Sequence, residues 1–295
     1  MNMIYVLYNE SSGAHYSKEE IKEKIKAFFS DASIEMTDTM TVDNKQEYVD
    51  KITKDDKLVI VGGDGTLNHF INGVEDRDYD FDIYCYAAGT GNDFINDVNG
   101  VKTDELVHFN EYMKNLPEIS VKGKNYRFIN GIGYGIDGYC CEEGDNYRKK
   151  TGKAPNYTSI AIKGLLYKFK PTNAKVIIDG VSREFKNVWM VPSMNGRYFG
   201  GGMMITPSQD RLNEQRDLSF VVVTSKSRIR LLTVFPKIFE GGHVKYTKLF
   251  KQFSGKEIEV EFDRPVALQI DGETVLGVTS YRATSYALKK EEATV

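Results

Sequence analysis

The first third of the chain alternates short apolar runs with segments whose apolar residues recur at helical spacing. One of these helical segments starts at Ser17, three residues before Glu20, which is the arrangement of a capping box. Strands separated by helices of this length predict an open parallel α/β sheet, with ligands at the carboxyl ends of the strands. The predicted strands are Met3–Tyr8, Ser33–Met36, Lys57–Val61 and Ile83–Ala87, and the predicted helices are Ser17–Phe29, Asn44–Ile52 and Thr66–Val74.

From about Ser120 the pattern changes to short segments rich in Val, Ile, Phe and Tyr, separated by turn signals such as Asp179-Gly180. Many strands with few helices predict a β-sandwich or a related antiparallel layer. The change of pattern places an α/β domain at 1–118 and a β-rich domain at 119–283, with 284–295 as an additional candidate part of the first. The predicted strands are Tyr126–Asn130, Lys175–Ile178, Asn187–Val191, Leu218–Val223, Glu257–Phe262, Val266–Ile270 and Val278–Ala283, and the helical insertions are Tyr157–Lys168 and Ser227–Phe239.

Composition narrows the class of protein. With 295 residues, 41% of them hydrophobic and 27% charged, the chain is typical of a globular protein of two domains. Its net charge of −3 argues against nucleic acid as a partner. No apolar run approaches the ~18 residues of a membrane span, and the N-terminus resembles a strand more than a signal peptide. Cys85, Cys140 and Cys141 fit neither a disulfide framework nor a zinc spacing, which favours a reducing cytoplasm.

The run Val59–Asn68 is the most informative stretch of the sequence. A buried strand stops at a turn with three glycines in four positions, and helical spacing resumes at Thr66. Glycines let a ligand approach the backbone, and a helix start offers unpaired N–H groups, so the turn predicts an anion site. Asp64 within it would repel a phosphate unless a cation lies between, which indicates nucleotide phosphates bridged by a metal ion. The alternative is a tight turn without a ligand. The glycines are Gly62, Gly63 and Gly65.

Two other glycine patterns need interpretation. The chain has no Gly-x-x-x-x-Gly-Lys-Ser/Thr run, so it is not a P-loop enzyme. The glycine-rich stretch Gly131–Gly138 could be taken for a dinucleotide fingerprint, but no βαβ unit with the expected acid follows it. We predict a bend at a strand edge there, with Asp137 either facing a cleft or forming a turn.

Four further motifs occur along the chain, in the order Asn9–Gly13, Ala88–Phe94, Asn195–Gly202 followed by Pro207, and Ile270–Glu273. Together with Gly62–Asn68 this set closely resembles the diacylglycerol kinase catalytic-domain family, soluble bacterial lipid kinases related to sphingosine kinases. Asn9–Gly13 is similar to the family's Asn-Pro-x-Ser-Gly, with Glu10 in place of proline. The resemblance extends from Asn9 to at least Tyr281. The Gly-Gly-Asp-Gly run alone would be shared with NAD kinases and phosphofructokinase-like enzymes.

The resemblance implies a nucleotide domain and a β-rich lipid domain, with ATP and Mg²⁺ in the cleft between them. It implies a phosphotransferase acting on an alcohol group: the γ-phosphoryl group of ATP passes to a lipid hydroxyl, with diacylglycerol as the leading substrate and phosphatidic acid as product. Glu273 is the candidate base, Asp271 orients it or shares the metal, and Asp64 holds magnesium directly or through water. The alternative for Ile270–Glu273 is an ordinary Asp-Gly hairpin turn with a solvated glutamate. The implied ATP-binding residues are Asn9, Ser12, Gly13, Thr39, Gly62, Gly63, Asp64, Gly65, Thr66, Asn68, Thr90, Gly91, Asn92 and Asp93.

Besides Glu10, two positions and one segment depart from the family pattern. His69 stands where relatives usually have glutamate, and Ser120 falls near a position where they often carry aspartate. Arg211–Asp217 replaces an Asp-Asp-Gly-like turn that holds a structural magnesium in some relatives. Glu214 and Asp217 are the remaining candidate ligands for that second ion.

Basic residues around Arg148–Lys150 and Lys163–Lys170 alternate with aromatic and aliphatic ones, which predicts peripheral contact with an anionic membrane surface at the inner face of the membrane. A solvated helix face is the alternative. A homodimer is an open option. Two other functions stay open at this point: a kinase of a soluble substrate such as NAD or a polyol, and a nucleotide-binding or lipid-binding regulator without catalysis.

Overall fold

The computed structural model describes residues 2–9, 16–30, 32–89, 91–100 and 104–286. The chain divides into two compact units, Met1–Leu116 and Pro117–Val295. Ser12, Gly13, Thr90 and all but the first three residues of 284–295 lie outside the described ranges. None of the helices in those ranges has the length and apolar character needed to span a bilayer.

The first unit is built on a five-stranded sheet in the order β2-β1-β3-β4-β5. Strands β1 to β4 run parallel, as the pattern predicts, whereas β5 is an antiparallel edge strand that the pattern did not predict. The elements are β1 (Met3–Tyr8), α1 (Lys18–Lys26), β2 (Ser33–Asp38), α2 (Lys45–Val49), β3 (Lys57–Gly62), α3 (Asp64–Ile71), β4 (Asp82–Ala87), α4 (Asp93–Asn99), β5 (Leu106–His108) and α5 (Asn110–Met113).

The local sequence explains these elements. The side chain of Ser17 accepts the N–H of Glu20, and Glu20 accepts the N–H of Ser17, so the predicted capping box of α1 is confirmed. The apolar run Leu58–Val61 of β3 is fully buried, as expected for a central parallel strand covered on both faces. Tyr8 lies beside Val61, and Gly62 beside Ala87, so the loops after three strands leave from one edge of the sheet.

The second unit is dominated by a ten-stranded antiparallel sheet with the path β7-β6-β17-β16-β8-β11-β14-β10-β9, and β15 pairs with β14. A two-stranded ribbon, β12 with β13, stands apart from it. The elements are β6 (Glu118–Val121), β7 (Lys124–Arg127), β8 (Gly131–Tyr134), α6 (Ile136–Thr151), α7 (Tyr157–Lys163), β9 (Thr172–Ile178), β10 (Val181–Met190), β11 (Ser193–Met194), β12 (Tyr198–Phe199), β13 (Met203–Met204), β14 (Leu218–Thr224), α8 (Arg228–Val234), β15 (Phe250–Gly255), β16 (Glu257–Ile270) and β17 (Glu273–Thr284).

Strand β16 closes the sheet on itself because it pairs with β9 along its first half and with β8 along its second. The pairing with β17 shifts register between Glu261 and Val266, so two strands predicted from the sequence are one bulged strand. The enclosed core includes Trp189, which is 1% exposed and donates its indole N–H to the carbonyl of Ser225 at 2.9 Å. The β-rich second domain is therefore confirmed in sandwich-like form.

Other predictions were wrong in detail. The segment predicted as a strand-edge bend at Gly131–Gly138 contains the short strand β8 and the start of the 16-residue helix α6. Helix α3 starts at Asp64 instead of Thr66 and ends at Ile71, and α4 was not predicted. The two predicted helical insertions are confirmed: α7 continues as a π turn at Gly164–Lys168, and α8 continues as a 3₁₀ turn at Phe235–Ile238.

Candidate active site

The glycine turn after β3 requires glycine for steric reasons. A Cβ at Gly62 would overlap the side chain of Thr66, and a Cβ at Gly63 would lie 2.9 Å from the Cα of Gly89. A Cβ at Gly89 would in turn lie 2.5 Å from the Cα of Gly63. The turn after β3 and the turn after β4 therefore run against each other backbone to backbone.

Asp64 joins these two turns. Its Oδ2 accepts the backbone N–H of Asp93 at 2.8 Å, and its Oδ1 accepts that of Phe94 at 2.9 Å. These N–H groups belong to the first turn of α4, where a carboxylate is favoured by both hydrogen bonding and the helix dipole. The acid inside the glycine turn thus fixes the neighbouring turn, whatever else it binds.

The second turn is closed by its own asparagine. Asn92 has φ 45° and exchanges hydrogen bonds with Gly89: its Oδ1 accepts the N–H of Gly89 at 3.1 Å, and its Nδ2 donates to the carbonyl at 2.8 Å. Asparagine tolerates this left-handed conformation better than most residues. Asp93 follows as the first residue of α4 and is buried.

The remaining predicted nucleotide contacts in the described ranges lie around the same sheet edge. Nδ2 of Asn9, directly after β1, donates to Oγ1 of Thr66 at 3.4 Å. Thr39 is buried at the start of a 3₁₀ turn after β2. Asn68 is buried within α3, where Gly65 also lies, and Gly91 precedes Asn92. Ser12, Gly13 and Thr90 lie outside the described residues.

The acid motif Ile270–Glu273 forms the hairpin turn between β16 and β17. Asp271 and Gly272 occupy its two central positions with φ 47° and 95°, and Ile270 pairs with Glu273. The carboxylate of Asp271 is 7% exposed and accepts three backbone N–H groups, from Ile129, Asn130 and Gly131, at 2.6 to 2.9 Å. Glu273 is exposed at the start of β17. Asp271 therefore fixes the turn that carries Glu273.

The same three-residue segment organises the glycine loop at Asn195–Gly202. The N–H groups of Asn195 and Gly196 both donate to the carbonyl of Asn130, and Nδ2 of Asn195 donates to the carbonyl of Ile129 at 2.9 Å. Buried Arg211 also donates to the carbonyl of Ile129, at 3.1 Å. The loop and the acid turn are thus positioned by one stretch of backbone.

Two residues that the sequence interpretation did not assign to the acid turn are connected to it. Oε1 of Gln269 accepts the N–H of Gly272 at 2.6 Å, and its Nε2 donates to Oδ2 of Asp137 at 2.8 Å. The pKa of the Asp137 carboxyl is raised from 3.8 to about 6. Burial causes the increase and outweighs the opposite effect of the hydrogen bond from Gln269. No sequence signal identifies Gln269, because its partner on α6 is 132 positions away.

Metal ligands were predicted at Asp64 and, for a second ion, at Glu214 and Asp217. Within the described ranges there is no group of three or more His, Cys, Asp or Glu side chains placed to hold an ion. In the turn at 211–217, amide side chains contact the backbone of Asp217: Oδ1 of Asn213 accepts its N–H at 2.9 Å, and Nε2 of Gln209 donates to its carbonyl at 3.0 Å. Glu214 is exposed.

Two of the residues that depart from the family pattern are exposed on the surface. His69 is exposed on α3, and Ser120 is an exposed residue of β6 whose hydroxyl donates to Oδ1 of Asn125 at 2.7 Å.

A surface hollow of about 470 Å³ lies elsewhere in the second unit and is bordered by Lys168, Lys170 and Arg264.

Two family sequence profiles together match almost the whole chain. The sequence profile of the diacylglycerol kinase catalytic domain matches residues 3–118. That of the YegS C-terminal NAD kinase beta sandwich-like domain matches residues 130–286.

Similar proteins carry related names. The chain is 25% identical over 250 residues to "Putative lipid kinase YtlR" of Bacillus subtilis (strain 168), a match that covers 78% of this chain and 77% of that protein. It is 25% identical over 198 residues to "Diacylglycerol kinase" of Mycobacterium tuberculosis (strain ATCC 25618 / H37Rv), covering 64% of this chain and 62% of that protein, which is less than two thirds of its length. The crystal structure of a diacylglycerol kinase from Bacillus anthracis str. Sterne has the same fold, with a TM-score of 0.65, 20% identity and coverage of 97% and 95%.

Proposed function

Because this chain belongs to the diacylglycerol kinase catalytic-domain family, we propose that it is an ATP-dependent lipid kinase that transfers the γ-phosphoryl group to a lipid hydroxyl. The observation that carries the proposal is the pair of glycine turns fixed to each other by Asp64 at the carboxyl edge of a parallel sheet. Such an edge is where open α/β sheets bind their ligands.

Phosphate binding in this proposal depends on backbone groups. The N–H groups at the start of α3 and the bare backbone of Gly62 and Gly63 form an anion site without a lysine. Asn9 and Thr66 add polar side chains next to it. We assign the remaining predicted contacts, including Thr39, Asn68, Gly91 and Asn92, to the nucleotide.

Magnesium fits the first unit through Asp64. Mg²⁺ is usually held by one or two carboxylates together with phosphates and water, and Asp64 places one such carboxylate beside the glycine turn. When bound, the ion would neutralise charge that develops on the transferred phosphoryl group. We do not assign a structural ion to Glu214 and Asp217, whose turn is held by protein amides.

The acid turn supplies the proton acceptor. Phosphoryl transfer needs a group that orients the attacking hydroxyl and takes its proton, and exposed Glu273 is that group in our proposal. Asp271 is the positioning residue, since its carboxylate is occupied by three backbone N–H groups. A positioned base typically contributes ~10²–10⁴-fold to the rate.

Diacylglycerol is the leading acceptor, with phosphatidic acid as product, on the strength of the names of the relatives.

We further propose peripheral contact with anionic membranes through the segment of α6, α7 and the following π turn. Ile162, Leu166 and Tyr167 are 38%, 42% and 59% exposed there and are interleaved with lysines. Exposed apolar side chains among cations are typical of interfacial binding.

The proposal is tested with radiolabelled ATP and Mg²⁺. Incubation with mixed micelles of diacylglycerol should move label into the organic phase, and Glu273→Gln should reduce this transfer by at least ~10²-fold while ATP binding stays unchanged. Glu261→Gln, at an exposed position on β16, is the matched control and should be fully active.

Parallel incubations with NAD and with small polyols separate the other possibilities. Label that remains in the aqueous phase on NAD or a polyol would make this a kinase of soluble substrates. ATP binding without transfer to any acceptor would make it a regulator. Either outcome contradicts the lipid kinase proposal.

A further inference from the structure

A second surface hollow in the β-rich unit, of about 370 Å³, is lined by four basic residues, Lys186, Lys226, Arg230 and Lys248. All four are exposed. No carboxylate lines the hollow, and within the part of the chain that the structure describes these four side chains make no ion pair and no hydrogen bond with the protein. Like charges around one depression repel each other, and a depression lined by one sign of charge concentrates counter-ions.

This basic hollow is separate from the residues of the proposed reaction. None of its lining residues belongs to the acid turn, to the glycine loop Asn195–Gly202 or to the larger hollow beside Lys168. It is formed by the bulged part of β10, by the loop from β14 into α8, and by the residues before β15. Because the whole chain carries a net charge of −3, four positive charges at one place do not follow from its composition.

Backbone hydrogen bonds fix these three segments to one another. The N–H of Ser225 donates to the carbonyl of Asn187 at 3.0 Å, and the N–H of Thr224 donates to the carbonyl of Leu249 at 2.8 Å. The hydroxyl of buried Ser225 donates to the carbonyl of Ser227 at 2.8 Å. The frame that carries the cations is therefore in place before a ligand arrives, which lowers the entropic cost of binding.

A bulge in β10 adds an amide to the cations. The pairing of β10 with β9 shifts register between Phe185 and Val188, and the two residues in between, Lys186 and Asn187, both line the hollow. Asn187 has φ 54° and is half-buried, and its side-chain amide has no hydrogen-bond partner among the described residues. This amide is able to donate two hydrogen bonds to an anion.

A fifth cation lies directly beside the hollow. Nζ of Lys251 donates to Oγ1 of Thr224, one of the lining residues, at 2.6 Å. Burial lowers the pKa of Lys251, and no carboxylate of the described ranges opposes this shift. The positive charge of this region thus has no acidic partner in the described protein, and an anion from solution would supply one.

The lining limits the ligand to a compact anion. Lysine and arginine bind phosphate oxygens through charge-assisted hydrogen bonds. Leu249 is the one apolar residue of the lining and is buried, and no aromatic ring lines the hollow, so neither an acyl chain nor a nucleobase finds a surface to pack on. Four cations favour a ligand with more than one phosphate group.

We propose that the basic hollow is an anion site for a small soluble ligand that carries two or more phosphate groups, whose oxygens accept from Lys186, Lys226, Arg230 and Lys248. The proposal goes beyond the lipid kinase function and does not depend on it. Inorganic pyrophosphate is the simplest member of this class and is the probe in the experiments below.

Calorimetric titration with pyrophosphate tests the proposal. In the absence of Mg²⁺, pyrophosphate should bind wild type at least about tenfold more tightly than Lys186→Gln/Lys248→Gln, because this variant lacks two of the four cations. Lys124→Gln/Lys175→Gln removes the same charge from exposed positions of the second unit outside the hollow and should bind like wild type. Equal affinity of all three proteins, or an equal loss in both variants, would overturn the proposal.

Thermal unfolding gives a second measurement. A ligand that binds only the folded protein raises Tm. Relative to sodium chloride of the same ionic strength, pyrophosphate should raise the Tm of wild type and of the control variant more than that of Lys186→Gln/Lys248→Gln. Without pyrophosphate, this variant should melt no lower than wild type, since neither lysine has a partner among the described residues. A lower Tm would mean that the lysines support the fold, and the proposal would be wrong.

Vesicles distinguish a soluble ligand from a membrane surface. Ile229, next to Arg230, is exposed but does not line the hollow. Sedimentation with phosphatidylglycerol vesicles should therefore be the same for the two double variants. A selective loss of vesicle binding in Lys186→Gln/Lys248→Gln, with pyrophosphate binding intact, would make the cluster a membrane contact and contradict the proposal. None of these measurements involves phosphoryl transfer, so the lipid kinase function stands or falls separately.

Discussion

Single residues in the first unit fix its two glycine turns to each other. Asp64, the acid within the first glycine turn, accepts two hydrogen bonds from the start of α4. The backbone contact of Gly63 with Gly89 explains why both turns use glycine. These contacts determine the local structure of both turns.

Replacing Asp64 should therefore affect both stability and binding. In Asp64→Ala the N–H groups of Asp93 and Phe94 lose their acceptor, and we expect a loss of about 1–3 kcal/mol in the free energy of unfolding together with weaker Mg²⁺-dependent ATP binding. Urea unfolding and calorimetric titration measure the two effects. Asp55→Ala, at an exposed site, is the control, and an unchanged midpoint for Asp64→Ala would contradict the structural role.

At the scale of elements, the sequence predicted what depends on local pattern. The four parallel strands, the capping box at Ser17 and the turn at Asp271-Gly272 were predictable from periodicity and turn residues. Helix α6 was not, because glycines at its start imitate a bend and because its packing surface is defined by distant β16. The N–H partners of Asp271 at Ile129–Gly131 stand up to 142 residues away, beyond the range of any local signal.

Close packing of α6 on β16 makes Gly138 sensitive to substitution. A Cβ there would overlap the carbonyl of Ala267 and lie 2.7 Å from the nitrogen of Leu268, which is main chain that cannot rotate away. We expect Gly138→Ala to lower the free energy of unfolding by about 1–3 kcal/mol or more, despite the better helix propensity of alanine. The urea midpoint measures it, with Glu143→Ala on the exposed face of α6 as the control. A midpoint equal to that of wild type would contradict this packing.

At the scale of the whole molecule, charge is distributed unevenly. The chain carries a net charge of −3, yet Arg148, Lys149 and Lys150 end α6 next to the exposed apolar residues of α7 and the π turn. Each basic residue near an anionic membrane surface contributes about 1 kcal/mol to the free energy of binding. Salt screens this attraction.

Neutralising Arg148, Lys149 and Lys150 together should weaken sedimentation with phosphatidylglycerol vesicles, and the difference from wild type should shrink as salt is added. Vesicles of phosphatidylcholine should show little difference. Neutralising three exposed lysines of the first unit, Lys18, Lys22 and Lys54, is the matched control. Equal loss of binding in both triple variants would mean that net charge alone attracts the protein.

Trp189 gives the molecule a selective optical reporter. It is the one tryptophan of the chain and lies in the core of the second unit, with the guanidinium of Arg228 5.0 Å from its ring centroid. Its fluorescence emission should shift to longer wavelength when that unit unfolds. Unfolding of the first unit should leave the emission wavelength unchanged. A comparison of fluorescence with far-ultraviolet circular dichroism would therefore reveal whether the two units lose their structure in one cooperative transition or in succession.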